Sequence, residues 1–435
     1  MTDHGAGNGP LVGMVGAGQL ARMTCQAAIT LGIRFRVLAA TSADSAAQVC
    51  ADTRIGDYRS LPDLLALARG CDAVTFDHEH VPGPHLGALE AASVPIRPVG
   101  AALRHAQDKR VMRERLGRLG VRCPRFAPAT RLAEVTDFAE RHGWPVVLKA
   151  IRGGYDGKGV WMCEDAAQAA AVLAHGIALL AEEYVPFTAE LATLVARSPY
   201  GQGAAYPVVQ TVQRDGICRE VLAPAPGLTA DLVKEAQSLA LRLAAELDVT
   251  GLLAVELFQT PDGLLVNELA MRPHNCGHWT IEGARTSQFE QHLRAVLDMP
   301  LGATAPAAPQ VVMANVLGGD GGDLYARLHH VLAADPALRV HLYGKPSRPG
   351  RKIGHVTALG TGLAELRDRA MTAADYLRWG DAGPPANPGP RADAGSRAGG
   401  DSRADAGSRA DGGSRSDASS QADPGSAAWA GGETT

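Results

Sequence analysis

The stretch Leu252–His278, with the sequence LLAVELFQTPDGLLVNELAMRPHNCGH, is the part of the chain from which the rest can be interpreted. It contains two apolar runs of strand type, Leu252–Phe258 and Leu264–Leu269. Between them, Thr260-Pro-Asp-Gly263 has Pro at its second position and Gly at its fourth, as turns commonly do. The pattern predicts a β-hairpin.

Glu256 and Glu268 occupy corresponding positions in the two runs. With the turn centred on Asp262, each glutamate lies six residues from it, so the two carboxylates face each other across the hairpin. Opposed like charges with Cβ atoms about 5 Å apart destabilise a sheet, which predicts a positive group between them. Mg²⁺ suits such a pair, because it binds one or two carboxylates and completes its coordination with water and phosphate. Two rim glutamates bonded to arginines explain the pattern equally well, and these residues alone leave both interpretations open.

The segment after the hairpin, Arg272-Pro-His-Asn-Cys-Gly-His278, favours a functional site. It concentrates one guanidinium, two imidazoles and an amide in seven residues. Neither helical nor strand periodicity requires such a concentration of polar groups.

Composition limits the function classes. The 435 residues are 46% hydrophobic, which is enough for two to four domains. The net charge of −4 argues against nucleic acid as the main partner. Without an apolar run of membrane-spanning length or a signal peptide, we expect a cytoplasmic protein that does not bind membranes. The seven cysteines show no CxxC pair, so we expect them to be reduced.

The N-terminal pattern is that of a βαβ unit. A strand at Pro10–Val15 leads through Gly16-Ala-Gly18 into a helix at Leu20–Leu31 and a strand at Phe35–Ala39. Dinucleotide binding also needs an acid at the end of the second strand, and the first acid here is Asp44. We therefore favour a tight turn, which could lie beside a substrate phosphate, over NAD binding.

Asp77-His-Glu-His80 follows the next strand of this unit, Ala73–Phe76. Ligands bind at the carboxyl ends of the strands in such sheets, which favours a site. A solvated loop would have the same composition, and both interpretations stay open. The Pro-punctuated segment Val94–Pro98 closes the first domain.

Two features of the next region indicate a phosphate site. The apolar strand Trp144–Lys149 ends in a lysine, whose burial is costly unless its ammonium meets phosphate or carboxylate. Soon after it, Arg152-Gly-Gly-Tyr-Asp-Gly-Lys-Gly159 has four glycines in seven residues, so backbone amides can approach phosphate closely. A simple hairpin loop explains the glycines but not Tyr155, Asp156 and Lys158, so we favour a mobile lid over phosphate.

The remaining periodicity predicts an amphipathic helix at Ala101–Leu119, further helices at Leu61–Ala68, Leu132–His142, Asp165–Ala174, Ala230–Leu247, Leu324–Leu332 and Gly362–Leu377, and strands at Ala178–Val185, Leu191–Ala196, Tyr206–Val212 and Val311–Leu317. The basic cluster Lys345–Lys352 is spaced by Gly and Pro without a helical charge period, which favours a folded anion site over a solvated face.

These segments together resemble the ATP-grasp enzymes, and more narrowly the 5-(carboxyamino)imidazole ribonucleotide synthases of purine synthesis, over roughly Leu11 to Trp379. The motifs that carry the resemblance are Lys149, Gly153-Gly-Tyr-Asp-Gly157, Asn267-Glu268, Arg272–His278 with Trp279-Thr-Ile-Glu282, Ser287-Gln-Phe-Glu-Gln-His-Leu-Arg294, Tyr343-Gly-Lys345 and Arg351-Lys-Ile-Gly-His355.

The resemblance implies a mixed α/β and α+β fold of ATP-grasp architecture, with a Rossmann-like, doubly wound parallel-sheet domain at 1–100, an ATP-grasp domain at 101–305 and a small ribotide-phosphate domain at 306–380. The segment 381–435 is expected to be a disordered tail, since Arg391–Arg397 recurs as Arg403–Arg409 and large apolar residues are scarce there.

The implied activity is the ATP-dependent carboxylation of 5-aminoimidazole ribonucleotide with bicarbonate, through carboxyphosphate, by a ligase that forms a C–N bond. ATP and Mg²⁺ are the expected cosubstrate and metal, and a homodimer is the expected assembly. The alternatives are a sister ligase, such as the formate-dependent glycinamide ribonucleotide transformylase, or a non-catalytic ATP-binding relative.

For ATP and metal, the resemblance assigns the following residues by position. Lys109 and Lys149 match phosphate-binding residues, Glu190 matches the acid on the ribose, and Glu256 and Glu268 match the metal carboxylates. The lid over the triphosphate corresponds to Gly154, Tyr155, Asp156, Gly157, Lys158, Gly159 and Val160, and the segment that binds adenine corresponds to Glu182, Glu183, Tyr184 and Val185. Gln210 stands where relatives have His or Glu near the nucleotide. Asn267 matches a residue beside the metal carboxylates, although strict strand alternation sends it to the other face.

The resemblance also assigns residues to the substrates. Catalytic residues around the imidazole and bicarbonate correspond to Tyr155, Asp156, Arg272 and His274, with Asn275 beside them and Glu79 facing the same cavity. The ribotide phosphate site corresponds to Lys345, Arg351 and Lys352. Asp156 is the candidate to take the amine proton. Met271 and Cys276 depart from the family's usual Pro and Ser, and Gln210 departs as noted.

Overall fold

The computed structural model of the chain describes residues 9–154, 157–319 and 321–383. The expected roles of Tyr155 and Asp156, and the expected tail from residue 384 onward, lie outside the described residues. Within those ranges, no helix is long and apolar enough to cross a membrane.

The N-terminal region forms a parallel sheet covered by helices on both faces. Its elements are β1 (Leu11–Val15), α1 (Gln19–Thr30), β2 (Arg34–Ala39), β3 (Asp52–Ile55), α2 (Leu61–Ala68), β4 (Ala73–Phe76) and α3 (Gly83–Ala91). The strand order β3-β2-β1-β4, with parallel pairing throughout, confirms the doubly wound prediction. Because helices cover both faces, every residue of β1 and β4 is buried.

The single helix predicted at Ala101–Leu119 is wrong. The chain forms α4 (Gly100–Gln107) and α5 (Lys109–Arg118), separated by Asp108, which is extended with φ −137° and ψ 106°. The Asp108 carboxylate caps α5 by accepting a hydrogen bond from the Val111 amide at 3.0 Å. Both helices bury one apolar face, so the periodicity does not reveal the one-residue break. The break makes Lys109 the first residue of α5.

A small antiparallel sheet follows, in the order β5-β8-β6-β7. Its elements are β5 (Phe126–Ala129), α6 (Leu132–His142), β6 (Val146–Ala150), β7 (Val160–Cys163), α7 (Ala166–Leu173) and β8 (Leu179–Glu183). Alternate residues such as Val146 and Leu148 pack against α6 and α7. Alternation along the strands therefore turns Lys149 and Glu182 to the opposite face.

A large antiparallel sheet forms the rest of the described chain, in the order β14-β13-β9-β11-β12-β15-β17-β16, with β10 on β9. Its elements are β9 (Ala189–Arg197), β10 (Gly203–Ala205), β11 (Val209–Arg214), β12 (Ile217–Ala223), α8 (Ala230–Glu246), β13 (Gly251–Thr260), β14 (Gly263–Ala270), α9 (Thr280–Gly283), α10 (Gln288–Val296), β15 (Gln310–Leu317), α11 (Leu324–Ala334), β16 (Arg339–Leu342), β17 (Lys352–Gly360) and α12 (Leu363–Trp379).

This sheet runs through the boundary predicted between residues 305 and 306. Strand β15 pairs with β12, so the C-terminal strands extend the sheet that contains the hairpin β13–β14. The sequence pattern does not predict β12, β16 or β17. The domain limits stay a prediction.

Candidate active site

The hairpin β13–β14 brings Glu256 opposite Glu268, as predicted, but by a different route. The turn is tighter than a turn centred on Asp262, because Thr260 pairs with Gly263. That register alone would set Glu256 against Asn267. A β-bulge shifts the pairing by one residue beyond Leu257, and this shift places the two glutamates opposite each other.

The bulge also corrects the expectation for Asn267. Strict alternation sends its side chain away from the cleft, but its Oδ1 accepts a hydrogen bond from Lys149 Nζ at 3.1 Å. The adjacent Glu268 Oε1 accepts one from Lys109 Nζ at 2.9 Å. An extra residue in one strand breaks alternation locally, so both neighbours can face the same cluster.

Charge is unevenly distributed over the facing glutamates. Burial, and then the charges of Glu268 and Glu190, raise the pKa of Glu256. Burial acts in the same direction on Glu268, but Lys109 and Lys149 outweigh it and lower its pKa. The pair therefore lies close to two ammonium groups, and these favour the ionised form of Glu268 but do not compensate an ionised Glu256.

This donor set fits a Mg²⁺ ion. Both carboxylates are hard oxygen donors on neighbouring strands, and they lie 26% and 44% exposed, so a ligand can reach them. Nowhere in the described part of the chain do three or more His, Cys, Asp or Glu side chains form a group able to hold a metal. An ion at Glu256 and Glu268 would therefore share its coordination with groups from outside the chain.

The buried lysine of β6 meets a carboxylate, which confirms that part of the prediction. Lys149 Nζ lies 2.8 Å from Glu182 Oε2, and the lysine side chain is only 11% exposed. Arg113 binds the same carboxylate through Nε at 2.8 Å. Burial by itself raises the pKa of Glu182, but Lys149 and Arg113 outweigh it and lower the pKa to about 2.

The Glu182 carboxylate thus points inward, so this residue has only its backbone available for the expected adenine contact. The next side chain, Glu183, accepts a hydrogen bond from the Arg125 amide at 2.8 Å and holds the chain entering β5. Tyr184 is 48% exposed, whereas Val185 is buried. Sequence reasoning missed Arg113, whose only signal is a charged residue on the buried side of an amphipathic helix.

Glu190 lies beside Gln213 instead of Gln210. Gln210 pairs with Leu191, and directly opposed residues of antiparallel strands share a face, so it points away from the face of Glu190. Thr211 pairs with Glu190, and strand alternation places Gln213 on the same face, where its side chain donates a hydrogen bond to Glu190. The geometry favours Gln213 over Gln210 as the polar residue near the ribose acid.

The glycine-rich segment is the loop that joins β6 to β7. Its described site residues are Gly154, Gly157, Lys158, Gly159 and Val160. Gly154 has φ +83°, and a Cβ there would lie 2.5 Å from the Lys158 carbonyl oxygen, so a side chain is not tolerated. A Cβ on Gly157 would lie 3.0 Å from Gly216 Cα in the turn between β11 and β12. The loop therefore reaches from the small sheet to the large one, as a lid over the cleft would.

Glu79 is held in place, which decides against a merely solvated loop at this position. Its Oε1 lies 2.8 Å from Arg272 Nε, and the two side chains are 14% and 20% exposed. The amide of Gln107 donates to the Glu79 and Val81 carbonyls at 2.8 and 2.7 Å. The N-terminal region thereby supplies a carboxylate to the segment that follows the hairpin.

His274 connects this segment to the facing glutamates. Its Nε2 lies 3.6 Å from Glu256 Oε1, and its Nδ1 lies 3.1 Å from Cys276 Sγ. Burial, and then the charges of Arg272 and Lys352, lower its pKa to about 3. Because the Cys276 amide also donates to Nδ1, at 3.4 Å, the neutral ring presents its Nε2–H to the cleft.

The next residue, Asn275, is bound in a reciprocal pair. Its amide donates to Asn315 Oδ1 at 2.9 Å, and the Asn315 amide donates back at 2.8 Å. Asn315 also donates to the Cys218 carbonyl at 2.9 Å. The geometry favours a structural role for Asn275, as an anchor of the loop on β15.

Of the predicted phosphate residues, Lys345 lies at the N-terminus of α1. Lys345 Nζ donates to Gln19 Oε1. The Asp77 carboxylate accepts from the Gly18 amide at 2.6 Å, and a Cβ on Gly16 would lie 1.8 Å from Asp77 Oδ1. Asp77 therefore fills the position that a dinucleotide pyrophosphate would need.

Of the other two predicted phosphate residues, Arg351 lies in the loop before β17 and Lys352 is the first residue of that strand. The Arg351 carbonyl accepts from the Gly318 amide at 2.7 Å, which ties the loop to the end of β15. The positive charge of Lys352 contributes to the low pKa of His274, and at Glu256 it opposes the rise in pKa that burial and Glu268 cause. The basic cluster therefore extends from α1 toward the facing glutamates.

Three family models match the chain in succession. They are a ribonucleotide synthetase preATP-grasp domain at residues 10–107, an ATP-grasp domain at residues 114–289, and a phosphoribosylaminoimidazole carboxylase C-terminal domain at residues 311–369. Together they cover most of the described residues.

Individual relatives agree with these models. The N5-carboxyaminoimidazole ribonucleotide synthase of Mycobacterium tuberculosis is 57% identical over 387 residues, which cover 86% of this chain and 90% of that protein. The solved synthetase of Thermus thermophilus is 39% identical, with a TM-score of 0.76 over 84% of this chain and 98% of that one. The synthase of Aspergillus clavatus, solved with ADP and 5-aminoimidazole ribonucleotide, is 32% identical, with a TM-score of 0.79 over 85% of this chain and 99% of that one.

Proposed function

The chain belongs to the N5-carboxyaminoimidazole ribonucleotide synthases, ATP-grasp ligases of purine biosynthesis, and we propose how its residues carry out that reaction. The enzyme carboxylates the amine of 5-aminoimidazole ribonucleotide with bicarbonate and consumes ATP. The observation that carries the proposal is the cluster in which Glu256 faces Glu268 while Lys109 and Lys149 bind the adjacent oxygens.

The first step activates bicarbonate. A bicarbonate oxygen attacks the γ-phosphorus of ATP, ADP leaves, and carboxyphosphate forms. Lys109 and Lys149 neutralise the phosphate oxygens from two elements of the cleft, and the glycine-rich loop covers them. A Mg²⁺ ion held by Glu256 and Glu268 would neutralise further phosphate charge.

The second step transfers the carboxyl group to the ribotide. Arg272, oriented by Glu79, holds the anionic intermediate, and His274 donates its Nε2–H to an oxygen of it. The exocyclic amine attacks the carboxyl carbon, a C–N bond forms and phosphate leaves. Asp156 takes the amine proton in this proposal, and the closed loop keeps water from hydrolysing the intermediate.

The ribotide phosphate binds the basic cluster. Lys345, Arg351 and Lys352 would hold it. Lys345 contacts Gln19 at the N-terminus of α1, and Lys352 starts β17, where its charge acts on Glu256 and His274. The positive charge of these residues favours a phosphate group. The homodimer stays part of the proposal, and light scattering of the purified chain tests it.

The proposal is tested by mixing the purified chain with ATP, Mg²⁺, labelled bicarbonate and the ribotide. We expect ADP release that depends on the ribotide, and label in the ribotide product. Formate with glycinamide ribotide, in place of bicarbonate and aminoimidazole ribotide, is the control for the sister ligase and should give no ADP. ADP release that the aminoimidazole ribotide does not stimulate would contradict the proposal.

A further inference from the structure

Arg113 is the largest charged side chain that the structure buries completely. It lies on α5, one turn after Lys109, and its side chain is 0% exposed. A guanidinium is costly to bury unless each of its polar edges meets a partner. Arg113 does not reach the cleft, so what it contacts decides what it does.

The first contact is with the Glu182 carboxylate, to which two nitrogens of Arg113 donate hydrogen bonds. Nε donates to Oε1 at 2.8 Å, and Nη2 donates to Oε2 at 3.1 Å. The same Oε2 receives Lys149 Nζ at 2.8 Å, and that ammonium also donates to Asn267 Oδ1 at 3.1 Å. A bidentate fork fixes the plane of a carboxylate. Arg113 therefore determines the point from which Glu182 holds the phosphate lysine.

The second contact is on the hairpin. Arg113 Nη1 donates to the Val266 carbonyl at 2.9 Å, and the Val266 amide donates to the Arg122 carbonyl at 2.9 Å. Strand β14 lies at the edge of its sheet, so these outward groups of Val266 would otherwise lack strand partners. Val266 immediately precedes Asn267, where the register shifts. Arg113 therefore pins the strand next to the bulge that turns Asn267 and Glu268 into the cleft.

We propose that Arg113 is a positioning residue for the nucleotide phosphates, which sets Lys149 through Glu182 and sets Asn267 and Glu268 through Val266. The inference rests on the proposed function, because it takes this cluster as the phosphate site. It predicts that Arg113 acts on nucleotide binding without touching the nucleotide. A residue that only stabilised the fold would act on nucleotide binding only through the folded fraction.

The test separates these two roles with a charge-neutral double variant. Arg113→Met alone leaves Glu182 buried with a single cation, so it can fail to fold. Arg113→Met with Glu182→Gln removes both charges, and we expect a melting temperature close to that of the original chain. Isothermal titration with Mg·ADP should nevertheless give a Kd raised about 10-fold or more, the usual cost of losing a group that orients ligands. KM for ATP should rise with it, while KM for the ribotide stays unchanged.

A matched pair elsewhere in the chain serves as the control. Arg367 binds the buried Glu220 with two nitrogens, at 2.8 and 3.3 Å, in the C-terminal part of the large sheet. Arg367→Met with Glu220→Gln should leave the Kd for Mg·ADP unchanged. Arg113→Lys, which cannot form the fork, should fall between the original chain and the double variant.

Unchanged Mg·ADP affinity in the folded Arg113→Met, Glu182→Gln variant overturns the inference. If that variant does not fold, unchanged affinity in folded Arg113→Lys has the same consequence. Titration with ADP in EDTA should show the same order of variants, because Lys149 acts without the metal. The titrations contain neither ribotide nor bicarbonate. A chain that binds Mg·ADP normally but shows no ribotide-stimulated ADP release therefore refutes the proposed function and not this inference.

Discussion

Glu182 on the small sheet and Glu256 on the large sheet border the same cleft, but their surroundings differ in charge. Glu182 is buried between Lys149 and Arg113, and its pKa falls to about 2. Glu256 is partly exposed and faces Glu268, and burial together with that negative neighbour raises its pKa. The first carboxylate is saturated by cations of the chain and has a positioning role. The second faces another carboxylate, so it is suited to an ion brought in with the substrate.

The largest expected effect is that of a substitution in the facing glutamates, Glu256 and Glu268. Glu268→Gln removes one proposed metal ligand and the partner of Lys109, and we expect kcat to fall about 10³-fold, since transition-state charge stabilisation of this kind is worth several kcal/mol. Steady-state ADP release with all substrates measures it. Glu246→Gln, at the exposed end of α8, is the control and should leave the rate unchanged. A near-normal rate in Glu268→Gln would refute the metal assignment.

The ion pairs of the buried Glu182 should contribute to the free energy of unfolding in a pH-dependent way. The pKa of Glu182 is lowered from 4.5 to about 2, so its stabilising contribution is complete above pH 4.5 and is lost as the pH falls toward 2. Between pH 5.5 and 3, the original chain should lose about 2 kcal/mol more unfolding free energy than Glu182→Gln. Urea unfolding at both pH values measures the difference. Equal losses in the two proteins would contradict the assignment.

Glu79 is the balanced case, a carboxylate with one cationic partner, Arg272. Glu79→Gln keeps the shape but loses the charge-assisted bond, which is worth about 2 kcal/mol. We expect KM for bicarbonate or the ribotide to rise at least about 10-fold, because Arg272 is less well oriented. The Kd for Mg·ADP should not change, and a change there would place Glu79 on the nucleotide side instead.

The smallest expected effect concerns the polar partner of Glu190. Gln213→Ala removes a hydrogen bond worth about 1 kcal/mol, so KM for ATP should rise about 5-fold. Gln210→Ala, on the opposite face of β11, should leave KM unchanged. The reverse order of the two variants would restore the prediction made from the sequence.

Much of the site follows from local pattern. The turn Thr260–Gly263 and its flanking apolar runs predict the hairpin and the facing glutamates, and a lysine at the end of a buried strand predicts a charged partner. Motif resemblance adds the substrate residues, and the comparisons support the family on which those assignments depend. These signals are readable because each depends on residues close together in the chain.

The failures have a common cause. The break at Asp108 and the bulge before Glu268 each change one residue in an otherwise regular pattern. Periodicity averages over a whole element, so it cannot detect a single displaced residue. One such residue nevertheless decides which face a side chain occupies, because strand alternation has a period of two.

The sequence by itself determined the parallel N-terminal sheet, the hairpin, the glycine-rich loop and the family. Only the tertiary structure decided that Arg113 and Glu182, 69 residues apart, form a buried pair behind Lys149. It also decided that Asn267 faces the cleft. Burial turns a surface-type residue such as arginine into a structural one, and burial depends on what packs around it, which no local pattern contains.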